Sequence, residues 1–469
     1  MKGFAVTGFT FSVSVYALLH FTTYFFYNDA LFNALSILGL LTLVFALLLL
    51  PLKKLQLPIF LLTLAVAVLV FTGGSLIDSL AAGFLQMRSL ISLLLIVPMI
   101  SWVLNEEPYI DEIMSYGHNF LNESRKFYLG LTGMTQIISH FLLFGAVPMM
   151  YSFIETFLKE QKSEAWENYK GTAILRGFAL STLWVISIPS FIFAVEALGA
   201  TLWKSVVLGF AAAVGGSLLA AFFAYRQEKR DQEDFTAVLK TEIAKAMKNS
   251  RNTGKWNRDV AEFAFLFVSL FGTIFIVQGV WNIDFLVAIP LVILFWTLLY
   301  FLVKKRAGNY IAEGKNYFSS GISRQAQQFS ILLSAGLLIY ALNKSGTGPY
   351  VIDGMNYVTE IVPFLNILLL LPFILILLGF VGLGPLPVIV LVTGILEGAV
   401  LPYPPELIVL AVTSGSVISI ILSPFVMPVI ILSSMNGLSG IRNGLRFNLK
   451  YAIAFYVMIQ VFIQTSILL

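Results

Sequence analysis

Thr132, Thr135, Ser139 and His140 punctuate an otherwise apolar run, YLGLTGMTQIISHFLLFGAVPMMYSFI at 128–154, which also holds Gly133, Gln136, Gly145 and Pro148. A second run, AVTSGSVISIILSPFVMPVIILSSMNG at 411–437, has the same character and carries Thr413, Ser414, Ser416, Ser419 and Ser423. Neither reads as a plain spanning helix, because Pro and Gly weaken a helix and hydroxyls compete with its ladder. Non-helical backbone at membrane depth is tolerated only where it is buried in protein or lines a wet cavity. Such breaks expose helix ends, whose N–H groups attract anions and whose carbonyls attract cations. The chemistry expected is binding: hydroxyls that coordinate Na+ or hydrogen-bond a carboxylate. The plainer reading is that small residues let helices approach closely. The midpoints, near Ser139–His140 and 416–419, are the expected tips of two re-entrant helical hairpins, near 128–154 and 405–433.

Three ionisable residues extend this substrate- and ion-binding set. His140, one of only 3 histidines, is either a proton carrier or a neutral packing residue. Arg88, inside FLQMRSLISLLLIVPM, either faces an anionic substrate or snorkels to the surface. Glu397, in VTGILEGAVLPYPP, either carries a coupling proton or cation or sits at the interface. With no cysteine and the histidines far apart, no metal site is expected, and no catalytic residue. The chain shows no P-loop, HExxH or GxSxG motif, so an ATP-driven pump and an enzyme are not expected.

The elements that must position these residues are membrane helices. The 469-residue chain is 58% hydrophobic and 12% charged, with a mean hydropathy of +0.88. Runs of about 20 apolar residues recur, the length that crosses a hydrocarbon core. The expectation is an all-α polytopic membrane protein, multi-pass in the plasma or inner membrane, with a retained first span and a cytoplasmic N-terminus. The segment 105–126 reads as a helix on the membrane surface. The net charge of +4 belongs to the loops and leaves no stripe for nucleic acid. The expected partners are the lipid bilayer, a small-molecule or ion substrate and, as an option, a second copy in a homodimer. No cofactor is expected beyond a coupling Na+ or H+.

The two halves look duplicated. Tyr27-Asn28 matches Trp281-Asn282, Pro98 matches Pro372, Pro108 matches Pro387, Ser139 matches Ser419, Pro148 matches Pro428 and Lys170 matches Lys450, all in one order. This gives a repeat of roughly 5–6 helices at 1–200, a linking helix and basic loop at 201–258, and a second repeat at 259–469. The stretch 226–258 holds 9 Lys/Arg against 5 Asp/Glu. The bias of Lys and Arg toward the cytoplasm puts 53–54, 125–126, 226–258, 304–306 and 442–450 inside. It supports a hairpin at 128–154 and implies that the halves point the same way.

At LSPFVMPVIILSSMNG, after Thr413-Ser-Gly-Ser, the chain resembles the ion transporter superfamily of citrate, dicarboxylate, gluconate and arsenite permeases, nearest to an uncharacterised prokaryotic branch. The resemblance implies two inverted repeats, each with a re-entrant hairpin, and Na+- or H+-coupled symport of an anion by an elevator-like motion. The Ser-Asn-Thr tip of the dicarboxylate branch is absent, since position 140 is His and no Asn follows Ser416 or Ser419. The function expected is secondary active transport of a small, anionic solute. The alternative is a flippase or membrane-assembly factor for a lipid-linked phosphate intermediate, with Arg88 reading the phosphate.

Overall fold

A computed structural model describes residues 2–107, 109, 123–231, 234–249, 256–346, 353–354, 357, 361, 366–397 and 401–468. It is all-α among these residues, and 11 of its helical stretches are long and apolar enough to cross a membrane. The chain is therefore an all-α polytopic membrane protein. The surface helix expected at 105–126 lies largely outside the described residues.

The first group of helices is α1 (Lys2–Phe25), α2 (Asp29–Leu49), α3 (Leu52–Thr72) and the interrupted series α4 (Leu76–Leu85), α5 (Arg88–Ile96) and α6 (Ile100–Leu104). Asn28 separates α1 from α2 by accepting hydrogen bonds from the N–H groups of Ala30 and Leu31, an N-cap. Then follow α7 (Ser124–Leu142), α8 (Ala146–Leu158), α9 (Glu164–Ser181), α10 (Pro189–Ala197), α11 (Leu202–Asp231) and α12 (Phe235–Asn249). The next four are α13 (Trp256–Trp281), α14 (Phe285–Val303), α15 (Ala307–Asn316) and α16 (Ala326–Lys344). The last are α17 (Ile367–Phe380), α18 (Pro385–Leu396), α19 (Pro405–Leu422), α20 (Met427–Asn436) and α21 (Phe447–Leu468).

Side-chain contacts fix the direction of the central helices. Tyr169 of α9 donates to the carbonyl of Ser124, where α7 begins, and Arg176 donates to the Tyr128 hydroxyl. Farther along, Gly177 lies against Thr132 and Thr135, and Ser187 donates to the carbonyl of His140. Helices α7 and α9 thus run side by side in the same direction, so the chain returns through α8 to the end at which it entered.

The same holds for α17 and α19. Gly415 lies against Pro372 and Leu375, Gly379 lies against Ser419, and Ser423 donates to the carbonyl of Gly379 at 3.0 Å. The chain returns between them through α18. At 14 and 12 residues, α17 and α18 span about 21 and 18 Å, short of a hydrocarbon core of about 30 Å.

The two α9-like helices are opposed. Glu164, at the start of α9, pairs with Arg446 at 3.3 Å, beyond the end of α20. Glu406, at the start of α19, accepts from the N–H of Thr201, beyond the end of α10. Helices α9–α10 and α19–α20 therefore run in opposite directions. The first of these ends also collects Arg125, Lys126 and the basic turn of α11, while Glu196, Asp284 and Glu406 share the other.

One sequence expectation is corrected. Ser416 and Ser419 do not form a tip, because the helix runs unbroken from Pro405 to Leu422 and the break falls at 423–426. One hydroxyl per turn is too weak a disturbance to stop an apolar helix, whereas Ser423-Pro424 does stop it. The span at 206–224, expected within the linking helix, lies in α11, which packs on α7, α9, α19 and α21.

Gly415 tests the α17–α19 contact. A Cβ there would lie 2.7 Å from Pro372 Cα, so backbone must move. Gly415→Val should destabilise the protein by about 1–3 kcal/mol, the usual cost of overpacking, read as a lower melting temperature in detergent. Gly272→Val, where a Cβ meets nothing within 4 Å, should leave the melting temperature unchanged.

Candidate substrate site

The polar machinery gathers where helices stop inside the bundle. In the first break, at 182–188, Ser181 and Thr182 turn their hydroxyls back onto the carbonyls of Phe178 and Ala179, at 2.6 and 2.7 Å. These local bonds compete with the ladder. Pro189 then opens α10, where a missing N–H costs least, and holds Ile188 extended at φ −81°, ψ 111°. In the second break, Ser423 is extended at φ −74°, ψ 123° ahead of Pro424, and Pro428 sits in the first turn of α20.

Each break is latched to a turn between two antecedent helices. Ser187 holds the carbonyl of His140, just before the turn at 143–145, where Leu143 takes φ 49°. Ser423 holds the carbonyl of Gly379, just before the turn at 381–384, where Gly382 takes φ 94°. Left-handed backbone is strained for Leu and free for Gly. Both hydroxyls are buried.

The sequence-predicted residues fall into separate places. Thr135 and Ser139 spend their hydroxyls on the carbonyls of Leu131 and Thr135 within α7. Thr413 and Ser414 do the same in α19, to Val409 and Ala411. Thr132, Ser416 and Ser419 are buried with hydroxyl oxygens that have no hydrogen-bond partner among the described residues. Helix α9 packs against both α7 and α19, between the two hydroxyl sets. Of the predicted set, Ser423 lies in a break, and Ser419 and His140 lie beside one.

His140 is enclosed by three rings, those of Trp184, Phe267 and Phe271, at 4.7, 5.0 and 4.9 Å. Its Nδ1 lies 3.2 Å from the carbonyl of Gln136. This is the surround of a packing histidine. Arg88 lies elsewhere, against α1 and α2, with its guanidinium 5.6 Å from the centre of the Phe32 ring. Glu397 is exposed at the end of α18 and accepts from Gln86 at 3.4 Å. Neither touches the breaks. No group of three or more metal-ligating side chains occurs among the described residues.

Several polar residues at the core escape the hydroxyl pattern. Trp184 and Ser187 lie in the first break, and Trp184 donates to Gln136, which in turn donates to Ser217. Lys170 is fully buried, pairs with Glu155 at 2.7 Å and with Glu167, and donates to the carbonyl of Gln161. Tyr151 donates to the same Glu167. Arg176, 4% exposed, donates to Asn448 at 2.9 Å, to Tyr128 at 3.1 Å and to the carbonyl of Phe447 at 3.2 Å. The signal for Arg176 is present in the sequence, as a charge inside an apolar run. The proposed match of Lys170 with Lys450 sets a buried residue against an exposed one.

No family model matches the chain, and no curated protein matches it.

Lys170 yields a stability test. Removing one partner from a buried ion pair leaves charge unpaired and costs about 3–5 kcal/mol. Lys170→Met should therefore lower the melting temperature markedly. Lys126→Met, which breaks the exposed pair with Glu123, should cost under about 1 kcal/mol.

Proposed function

We propose that the chain is a secondary active transporter that moves a small anionic solute together with Na+ or H+. It is built from two units in opposite orientations, each holding a re-entrant hairpin. The hairpins are 124–158 and 367–396, the second lying upstream of the 405–433 expected from sequence. Each unit continues with a broken helix, 164–197 or 405–436, and a closing helix, α11 or α21. With the preceding helices the units extend over 29–231 and 256–468, leaving α1 without a counterpart. The basic end is cytoplasmic by the bias of Lys and Arg. The charge count alone points both halves the same way, because it misses a hairpin that enters from the opposite face.

The observation that carries this reading is the pair of latches, Ser187 to His140 and Ser423 to Gly379. A buried hydroxyl in each break holds a hairpin near its turn, and the two assemblies are antiparallel. Breaks of this kind open at membrane depth where a solute must be gripped. Helices α8, α10, α18 and α20 all begin at a turn or a break, and helix N-termini favour anions. This architecture is also what the resemblance to the ion transporter superfamily implies, with Ser187 and Ser423 as the paired hydroxyls in place of Ser139 and Ser419.

Reconstitution tests it. In proteoliposomes, a Na+ or pH gradient should drive uptake of at least one small carboxylate or oxyanion from a panel. Ser187→Ala and Ser423→Ala should each cut that uptake by about tenfold or more, the 1.4 kcal/mol scale of one hydrogen bond to a strained site. Wild-type uptake by both variants would refute the paired-break site.

A further inference from the structure

The end of the bundle that carries the basic segments contains a cavity of about 670 Å³ between α9, the last turns of α11 and the start of α21. Five cationic side chains line it against two carboxylates, Glu164 and Asp231. Both carboxylates are spoken for, Glu164 by Arg446 at 3.3 Å and Asp231 by Arg230 at 2.8 Å. Arg176 is held by neutral groups only. Arg226 lies over the ring of Phe222 at 4.8 Å, and neither it nor Lys450 pairs with a carboxylate among the described residues. Among the described residues, three positive charges thus face one cavity without a counter-charge.

A second observation points to a ligand. Asn168, 8% exposed, lines the cavity, and its buried Oδ1 has no hydrogen-bond partner among the described residues. An unsatisfied buried amide oxygen is costly. A ligand that offers a hydroxyl donor beside an anionic group would satisfy Asn168 and the three cations together.

We propose that this cavity binds a phosphate group that carries or adjoins a hydroxyl. Its surroundings favour an anionic phospholipid as the source. Phe222 and Leu218 on α11 are exposed, as are Leu449, Ile453 and Val457 on α21. These two apolar stripes lead away from the cavity along the two helices that border it. They would take acyl chains while the guanidinium and ammonium groups hold the phosphate, since Arg and Lys pair with phosphate through charge-assisted hydrogen bonds. The inference stands apart from transport, since it uses neither latch nor hairpin.

The test uses the full chain, delipidated in a non-ionic detergent, with native mass spectrometry and thermal shift as readouts. The probes are phosphatidylglycerol, phosphatidylcholine and inorganic phosphate. The wild type should retain phosphatidylglycerol over phosphatidylcholine and melt higher in its presence. Arg226→Gln combined with Lys450→Gln should weaken that binding at least tenfold. Lys53→Gln combined with Lys54→Gln, which removes the same charge from an exposed site outside the cavity, should leave it intact. Stabilisation by inorganic phosphate that is lost in the cavity variant, without selective lipid retention, would assign the site to free phosphate. Binding of neither probe, or equal losses in the two double variants, would overturn the proposal.

Discussion

The whole bundle answers to one constraint: backbone that leaves a helix inside a membrane protein must find partners in the protein itself. This chain interrupts its helices at 182–188 and 423–426, and turns at 143–145 and 381–384. It meets the constraint by bringing each break to a turn and closing the gap with a serine hydroxyl. Glycine makes the approach possible. Gly379 lies against Ser419, Gly177 against Thr132 and Thr135, and Gly415 against Pro372. A side chain at any of these would hold the helices apart, and the unpaired carbonyls would remain.

The same constraint accounts for the buried charges. Lys170 and Arg176 sit on α9, the helix that packs on both α7 and α19. Lys170 joins α9 to the returning helix α8 through Glu155, and Arg176 joins it to α7 and to the start of α21 through Tyr128 and Asn448. Each cation bonds acceptors on other elements, Lys170 beside Glu167 of its own helix, so the position of α9 is set by bonds that few other arrangements could satisfy. Buried ion pairs contribute little net stability against apolar replacements, and what they supply is registration.

Much of this was legible in the sequence, for physical reasons that also mark its limits. Apolar runs near 20 residues revealed the spanning helices, and Asn28, Pro51 and Pro402 to Pro405 their boundaries. The polarity of 128–154 and the basic segment after it pointed to a chain that turns back, and α7 and α9 do run in the same direction. The helix pair at 367–396, the proposed second hairpin, drew no attention in the sequence because it is almost purely apolar: ILLLLPFILILLGF and PLPVIVLVTGIL contain one hydroxyl between them. Hydroxyl content drew attention to Ser416 and Ser419, yet α19 runs through both without a break: Thr413 and Ser414 bond back to its carbonyls, and Ser416 and Ser419 have no hydrogen-bond partner among the described residues. The break needed Ser followed by Pro. The segment STLWVISIPS at 181–190, where the other break falls, also combines serines with a proline. Arg88 and Glu397 look exceptional in sequence; in the fold Arg88, on α5, lies over the Phe32 ring of α2, and Glu397, at the end of α18, accepts from Gln86.

The most direct measurement is the sidedness of the two segments that follow the proposed hairpins. The chain has no cysteine, so single cysteines at Lys162 and Pro402, both exposed, can be labelled with a membrane-impermeant maleimide in oriented vesicles. Two opposed units, each with its own hairpin, require Lys162 to label from the cytoplasmic face and Pro402 from the other. Labelling of both from one face would contradict the account.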